Sequence, residues 1–100
     1  MPKKKLTKAD IIESIYADSD LSRKGIHRVI DRVFEEIKKG LHDDRVVELR
    51  GFGTFEVRLR KGRKRARNPK TGEVFPVDNH GVPVFRPGQE LKQIAWPMRT

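Results

Sequence analysis

The sequence contains no cysteine, which removes disulfide frameworks, thiolate nucleophiles and cysteine metal sites together. Aromatic residues make up only 7% of the chain, with a single Trp and a single Tyr. No run approaches about 18 consecutive apolar residues, so no segment reads as a membrane-spanning helix. Met1-Pro2-Lys3-Lys4-Lys5 leads straight into a helix signal without the apolar region of a signal peptide. The chain is therefore expected to be soluble, cytoplasmic and not exported, with no membrane partner. His27, His42 and His80 lie far apart without a ligand-like spacing, and no serine or carboxylate cluster organises around them. Asp43-Asp44 could be imagined as Mg²⁺ ligands, but a turn between helix and strand accounts for the pair more simply. No metal, no cofactor and no enzymatic activity are expected.

Apolar content is also low: 35% of 100 residues is little for a core that supports itself, so a partner chain is expected to complete it. Acid is scarce in one place. Residues 1–49 hold 11 Lys/Arg against 10 Asp/Glu, whereas residues 50–100 hold 12 against 4. Of the formal charge of +9, the second half thus carries +8, and that half should face an anionic partner such as a polyphosphate backbone. Composition alone does not separate DNA, RNA and anionic lipid.

What is present reads as an α+β chain. Thr7 is placed to cap a first helix with Asp10 three residues on, and Leu6 with Ile11 has the spacing of a hydrophobic staple. Ser22 marks a second start, after which Ile26, Val29, Ile30, Val33, Phe34, Ile37 and Leu41 follow a helical period. That stripe is long enough to face a sheet or a second subunit as well as the first helix. Beyond Asp43-Asp44 the period changes to about 2, through Val47 and Leu49 and then Phe55 and Val57, with a turn at Gly51-Phe52-Gly53. From Arg58 to Arg67 seven residues in ten are basic and none is acidic. Such a segment buries nothing by itself and should project as the outgoing leg of a hairpin, over about residues 58–78. Asn68-Pro69-Lys70-Thr71-Gly72 is dense in turn formers, and Val74, Phe75, Val77, Val82, Val84 and Phe85 supply the returning strand. Leu91, Ile94 and Ala95 share a face of a short last helix, stopped by Pro97. The predicted order is α-α-β-β-β-α in one domain, residues 1–100.

A β-ribbon is narrow enough to enter a DNA groove, with guanidinium groups along it that reach phosphates and base edges. A proline at its tip is a rigid apolar wedge without an N–H to desolvate, able to slip between base pairs and kink the duplex.

Gly51-Phe52-Gly53-Thr54-Phe55, then Arg67-Asn68-Pro69-Lys70-Thr71-Gly72-Glu73, then Phe85-Arg86-Pro87-Gly88 closely resembles the bacterial histone-like proteins HU and integration host factor, over essentially the whole chain. The resemblance implies a nucleoid-associated, non-enzymatic protein that binds and bends double-stranded DNA and condenses the chromosome. It implies an intertwined homodimer, or a heterodimer with a paralogue, whose two arms wrap the minor groove. Pro69 would be the intercalating wedge with Arg67 and Asn68 beside it, and Phe52, Phe55 and Phe85 would meet their symmetry mates in a shared core. Arg58, Arg60, Lys61, Arg63, Lys64, Arg65 and Lys70 would follow phosphates along the arm, while Lys5, Arg86, Lys92 and the start of the last helix would hold flanking DNA. Arg50 before Gly-Phe-Gly is similar to one subunit of integration host factor and raises a site-preferring bender as an alternative. Two departures stand out: Ala66 replaces the usual Gly before Arg-Asn-Pro, and the stretch from Phe55 to Pro69 is one residue longer, so a bulge or an altered twist is expected in the outgoing strand.

Other readings remain at this point. The arm could be a solvated basic segment, Pro69 an ordinary turn proline and Arg50 a plain surface arginine. A basic hairpin also suits structured RNA. Phe34, Phe52, Phe55, Phe75 and Phe85 could be base-stacking platforms, although their alternation favours core. Trp96 is expected to cover the dimer edge or the first helix, and Arg99 in the tail is a further candidate DNA contact.

Overall fold

The computed structural model describes residues 3–98, in the order α1 (Lys8–Ala17), α2 (Arg23–His42), β1 (Val47–Leu49), β2 (Gly53–Arg60), β3 (Arg63–Arg67), β4 (Val74–Val77), β5 (His80–Pro87) and α3 (Gln89–Ala95). This is the expected α+β fold, with one difference. The hairpin is two successive strand pairs rather than one continuous pair, so five strands replace three. The ladder is interrupted at Lys61-Gly62 and Asp78-Asn79, where Gly, Asp and Asn are poor strand formers. Arg99 lies outside the described residues.

The chain forms two compact units, one up to Lys38 and the other from Lys39 onward. In the first, the capping box of α1 is complete: Thr7 Oγ1 accepts from Asp10 N at 3.2 Å and Thr7 N donates to Asp10 Oδ2 at 3.0 Å. Those hydrogen bonds to the charged form hold the Asp10 carboxyl below the usual aspartate range. Ser22 Oγ likewise accepts from Gly25 N at 3.0 Å at the start of α2. Lys8 pairs with Asp31, Arg23 Nε donates to Glu13 Oε1 at 2.6 Å, and the Arg23 guanidinium stacks 4.0 Å above the Tyr16 ring. These contacts tie α1 to α2 from the solvent side. Between the helices only Ile12 and Ile26 are buried apolar side chains among the described residues. Val29 stays 60% exposed and Phe34 46% exposed, beside a groove of about 300 Å³ lined by Ile11, Ile15, Val29, Ile30, Val33 and Phe34. The stripe predicted along α2 therefore exists as a helix face that is covered at Ile26 and left open at Val29, Val33 and Phe34.

In the second unit, Asp44 adopts a left-handed φ of 57° and turns the chain from α2 toward β1, a conformation that Asp tolerates. This turn is the structural role of Asp43-Asp44. The main sheet is antiparallel in the order β1-β2-β5. Val47 faces Phe55 across β1 and β2, and Phe55 faces Phe85 across β2 and β5. Phe55 and Phe85 rings pack with centroids 4.7 Å apart, and Phe52 lies 5.5 Å from Phe85. The three phenylalanines thus form one cluster, yet Phe52 remains 48% exposed. Phe75 is not part of this cluster and lies exposed on β4 of the arm, contrary to the expectation that the aromatics are core. Trp96, just after α3, is 83% exposed.

Candidate nucleic-acid interface

Antiparallel pairing sorts the sheet into two faces. Phe55 and Phe85 oppose each other on one, whereas Thr54 opposite Arg86, Glu56 opposite Val84, Arg58 opposite Val82 and Arg60 opposite His80 occupy the other. Arg58, Arg60 and Arg86, three of the arginines assigned to DNA from the sequence, therefore stand on the face away from Phe55 and Phe85. Glu56 sits among them and was not anticipated. Its Oε1 accepts from Arg58 Nε at 2.8 Å and its Oε2 from Arg86 Nη2 at 3.3 Å. The Arg58 hydrogen bond, with the Arg86 charge beside it, holds the Glu56 carboxyl below the ordinary glutamate range. The i, i+2 spacing of Glu56 and Arg58 was a usable signal, but the contact with Arg86 depends on cross-strand register.

Beyond the interruption, β3 pairs with β4 in a separate ribbon. Arg63 faces Val77, but Ala66 faces Phe75 and Arg67 faces Val74. Three steps on β3 thus match two on β4. The ladder shifts register between Arg63 and Ala66, within the stretch where the extra residue is expected to produce a bulge or an altered twist. Arg63 and Ala66, opposite Val77 and Phe75, therefore share one side of the ribbon, and Arg67, opposite Val74, lies on the other. Arg63, Lys64, Arg65 and Arg67 are all exposed.

At the tip, Asn68 N donates to Glu73 O at 2.8 Å and Gly72 N to Asn68 O at 2.7 Å. The Asn68 side chain closes the loop from within, since its Oδ1 accepts from Lys70 N at 2.9 Å, and Thr71 Oγ1 accepts from Glu73 N at 3.2 Å. Gly72 has φ 72°, a left-handed conformation with no Cβ to oppose it. Pro69 and Lys70 are left exposed at the apex of this internally bonded turn. Asn68 thus has a structural duty in shaping the loop that presents Pro69.

The remaining sequence candidates are dispersed. Arg50 is exposed in the β1–β2 turn, Lys61 lies in the interruption, Lys92 is on α3, and Lys5 precedes α1 in the other unit. The structure brings Arg58 and Arg86 together through Glu56, and carries Arg63, Lys64, Arg65 and Arg67 as exposed residues of one strand of the ribbon. Among the described residues no group of His, Asp or Glu is placed to hold a metal ion.

Helices joined to an antiparallel sheet that extends a basic, proline-tipped ribbon define a β-ribbon class of nucleic-acid-binding protein. The profile of the family described as "Bacterial DNA-binding protein" matches residues 6–95. The chain is 44% identical over 87 residues to integration host factor subunit alpha of Saccharophagus degradans, covering 87% of this chain and 85% of that protein. It is equally 44% identical over 87 residues to the subunit alpha of Nitrosococcus oceani, covering 87% of each. Among solved structures, the Anabaena HU–DNA cocrystal structure matches with a TM-score of 0.81 and 29% identity, over 92% of this chain and 99% of that one. The chain belongs to the HU and integration host factor family of bacterial DNA-binding proteins. That family is one of non-enzymatic DNA binders.

Proposed function

We propose that this protein is an architectural, nucleoid-associated DNA bender that works as a single functional domain in a dimer, reading the shape and backbone of duplex DNA more than its sequence. The observation that carries this reading is the tip: Pro69 is exposed at the apex of a turn held by its own hydrogen bonds, at the end of a strand of exposed cations. The loop needs no reordering to present its wedge. Arg58, Arg60, Lys61, Arg63, Lys64, Arg65, Arg67 and Lys70 attract phosphates along the minor groove, and Pro69 enters a base step. Unstacking costs a few kcal/mol, offset by the phosphate contacts a bent duplex brings within reach, the mode of minor-groove architectural proteins, this family among them. Arg86, Lys92, Lys5 and Arg50 extend the contact to flanking DNA. Duplex DNA in the cytoplasmic nucleoid is the partner, and a second chain closes the apolar faces left open around Phe34 and Phe52.

The test measures binding of end-labelled duplexes across a salt series, reading affinity and end-to-end fluorescence transfer together. Wild type is expected to show a steep salt slope with shortened ends, and Pro69→Ala a smaller bend at nearly unchanged affinity. Unshortened ends with wild type would defeat the bending reading, and tighter binding to A-form RNA at equal salt would favour an RNA partner.

The similarity to integration host factor alpha subunits, together with exposed Arg50, favours a second reading: a site-preferring bender that pairs with a related chain. In that case Arg50→Ala lowers the preference among duplexes, by about 1–3 kcal/mol for a lost base-edge contact. Uniform weakening on all duplexes would leave Arg50 a backbone contact.

A further inference from the structure

The two ladders of the hairpin stop between Arg60 and Arg63 on one strand and between Val77 and His80 on the other, then resume in the same register, since Arg60 faces His80 and Arg63 faces Val77. An unsupported gap of this kind would let the outer ribbon swing. One hydrogen bond spans it: Gly62 N donates to Asn79 Oδ1 at 2.7 Å, so a side-chain amide oxygen does the work of a missing ladder carbonyl. The strands approach so closely there that a Cβ on Gly62 would run into the Val77 carbonyl and the backbone of Asp78 and Asn79. His80 Nδ1, 2.9 Å from the Asp78 carbonyl oxygen, tightens the same short crossing. Asn79 and Gly62 carry no charge, and none of the DNA contacts proposed above uses them.

We propose that Asn79 is a positioning residue, whose hydrogen bond to Gly62 N–H fixes the direction in which the β3–β4 ribbon carries Pro69 to the duplex. This rests on the bending function proposed above. The cations act wherever the ribbon points, because phosphates line the whole duplex. The wedge acts only at a base step, so a ribbon free to swing keeps its affinity and loses its bend.

The experiment compares wild type, Asn79→Ala, Asn79→Asp and Gly62→Ala in two measurements: amide hydrogen exchange of the free protein, and affinity with end-to-end fluorescence transfer on one duplex. In Asn79→Ala the Gly62 amide is expected to exchange about tenfold faster, and in Asn79→Asp, which keeps the acceptor, to stay slow. Asn79→Ala is expected to bend the duplex less, with affinity within about threefold of wild type and an unchanged thermal midpoint. Gly62→Ala, which has no room for its methyl group, is expected to show the same loss of bend. A Gly62 amide that exchanges equally fast in wild type and Asn79→Ala would overturn the hydrogen bond, and faster exchange with an undiminished bend would overturn the positioning role. Should wild type itself leave the duplex straight, the bending function fails, while the exchange comparison still decides whether Asn79 holds the joint.

Discussion

Glu56 offers Arg58 and Arg86 a carboxylate, at 2.8 and 3.3 Å respectively, where the proposed function has them meet a phosphate. Both arginines remain about half exposed, so a phosphate can reach them, but only by competing with Glu56. Because the folded protein holds this carboxyl below the ordinary glutamate range, the pairing is complete at neutral pH. Its contribution to stability is present above the pKa of the unfolded chain and is lost as the pH falls through the lowered folded value. Glu56→Gln removes the competing charge at neutral pH. It is expected to raise affinity for duplex DNA a few-fold and to steepen the salt dependence, as read in a binding titration from low to moderate salt. Weaker binding by the variant would mean that Glu56 orients the arginines for DNA rather than withholding them.

The arm shows how an added residue can be absorbed without moving what lies beyond it. With the register shift taken up between Arg63 and Ala66, the pairing at Arg63 and the pairing at Arg67 are both satisfied, and the turn around Pro69 keeps its hydrogen bonds. Deleting Lys64 is expected to leave a regular hairpin that bends DNA as before, with a salt slope shallower by about 1 for each arm engaged, in the same titration. A lost bend would show that the bulge itself aims the tip. Sequence patterning foretold much at this scale: the Thr7 capping box, the α2 stripe, the turn at Gly51–Gly53 and the turn residues at Asn68–Gly72 are local signals, complete within a few residues. The extra residue announced a bulge or a change of twist, and a register shift is there between Arg63 and Ala66. The break at Lys61-Gly62 was not legible, because basic residues run on either side of it and the bond that spans it joins residues 17 apart. The bridge from Glu56 to Arg86 was hidden for the same reason, at a separation of 30.

For the whole molecule, the unclosed apolar faces decide behaviour in solution. Ile12 and Ile26 are the buried apolar side chains of the described residues, while Val33, Phe34, Phe52 and Phe85 remain more than a third exposed. So small a closed core is expected to need a second chain, and the thermal midpoint is then expected to fall on dilution, as followed by circular dichroism. A midpoint independent of concentration from nanomolar to micromolar protein would indicate a chain that folds alone. The ribbon raises a different matter. Among the described residues its two strands form a sheet with no further neighbour, so both edges carry unpaired backbone groups, and Val74 and Phe75 on β4 are exposed beside them. Open edges with apolar side chains invite sheet-to-sheet stacking between molecules. Mutual repulsion among Arg63, Lys64, Arg65 and Arg67, together with the missing donor at Pro76, guards those edges. The cations proposed to attract DNA are thereby expected also to oppose stacking of the DNA-free protein, and a short polyanion that neutralises the arm without wrapping it is expected to promote association through the ribbon edges.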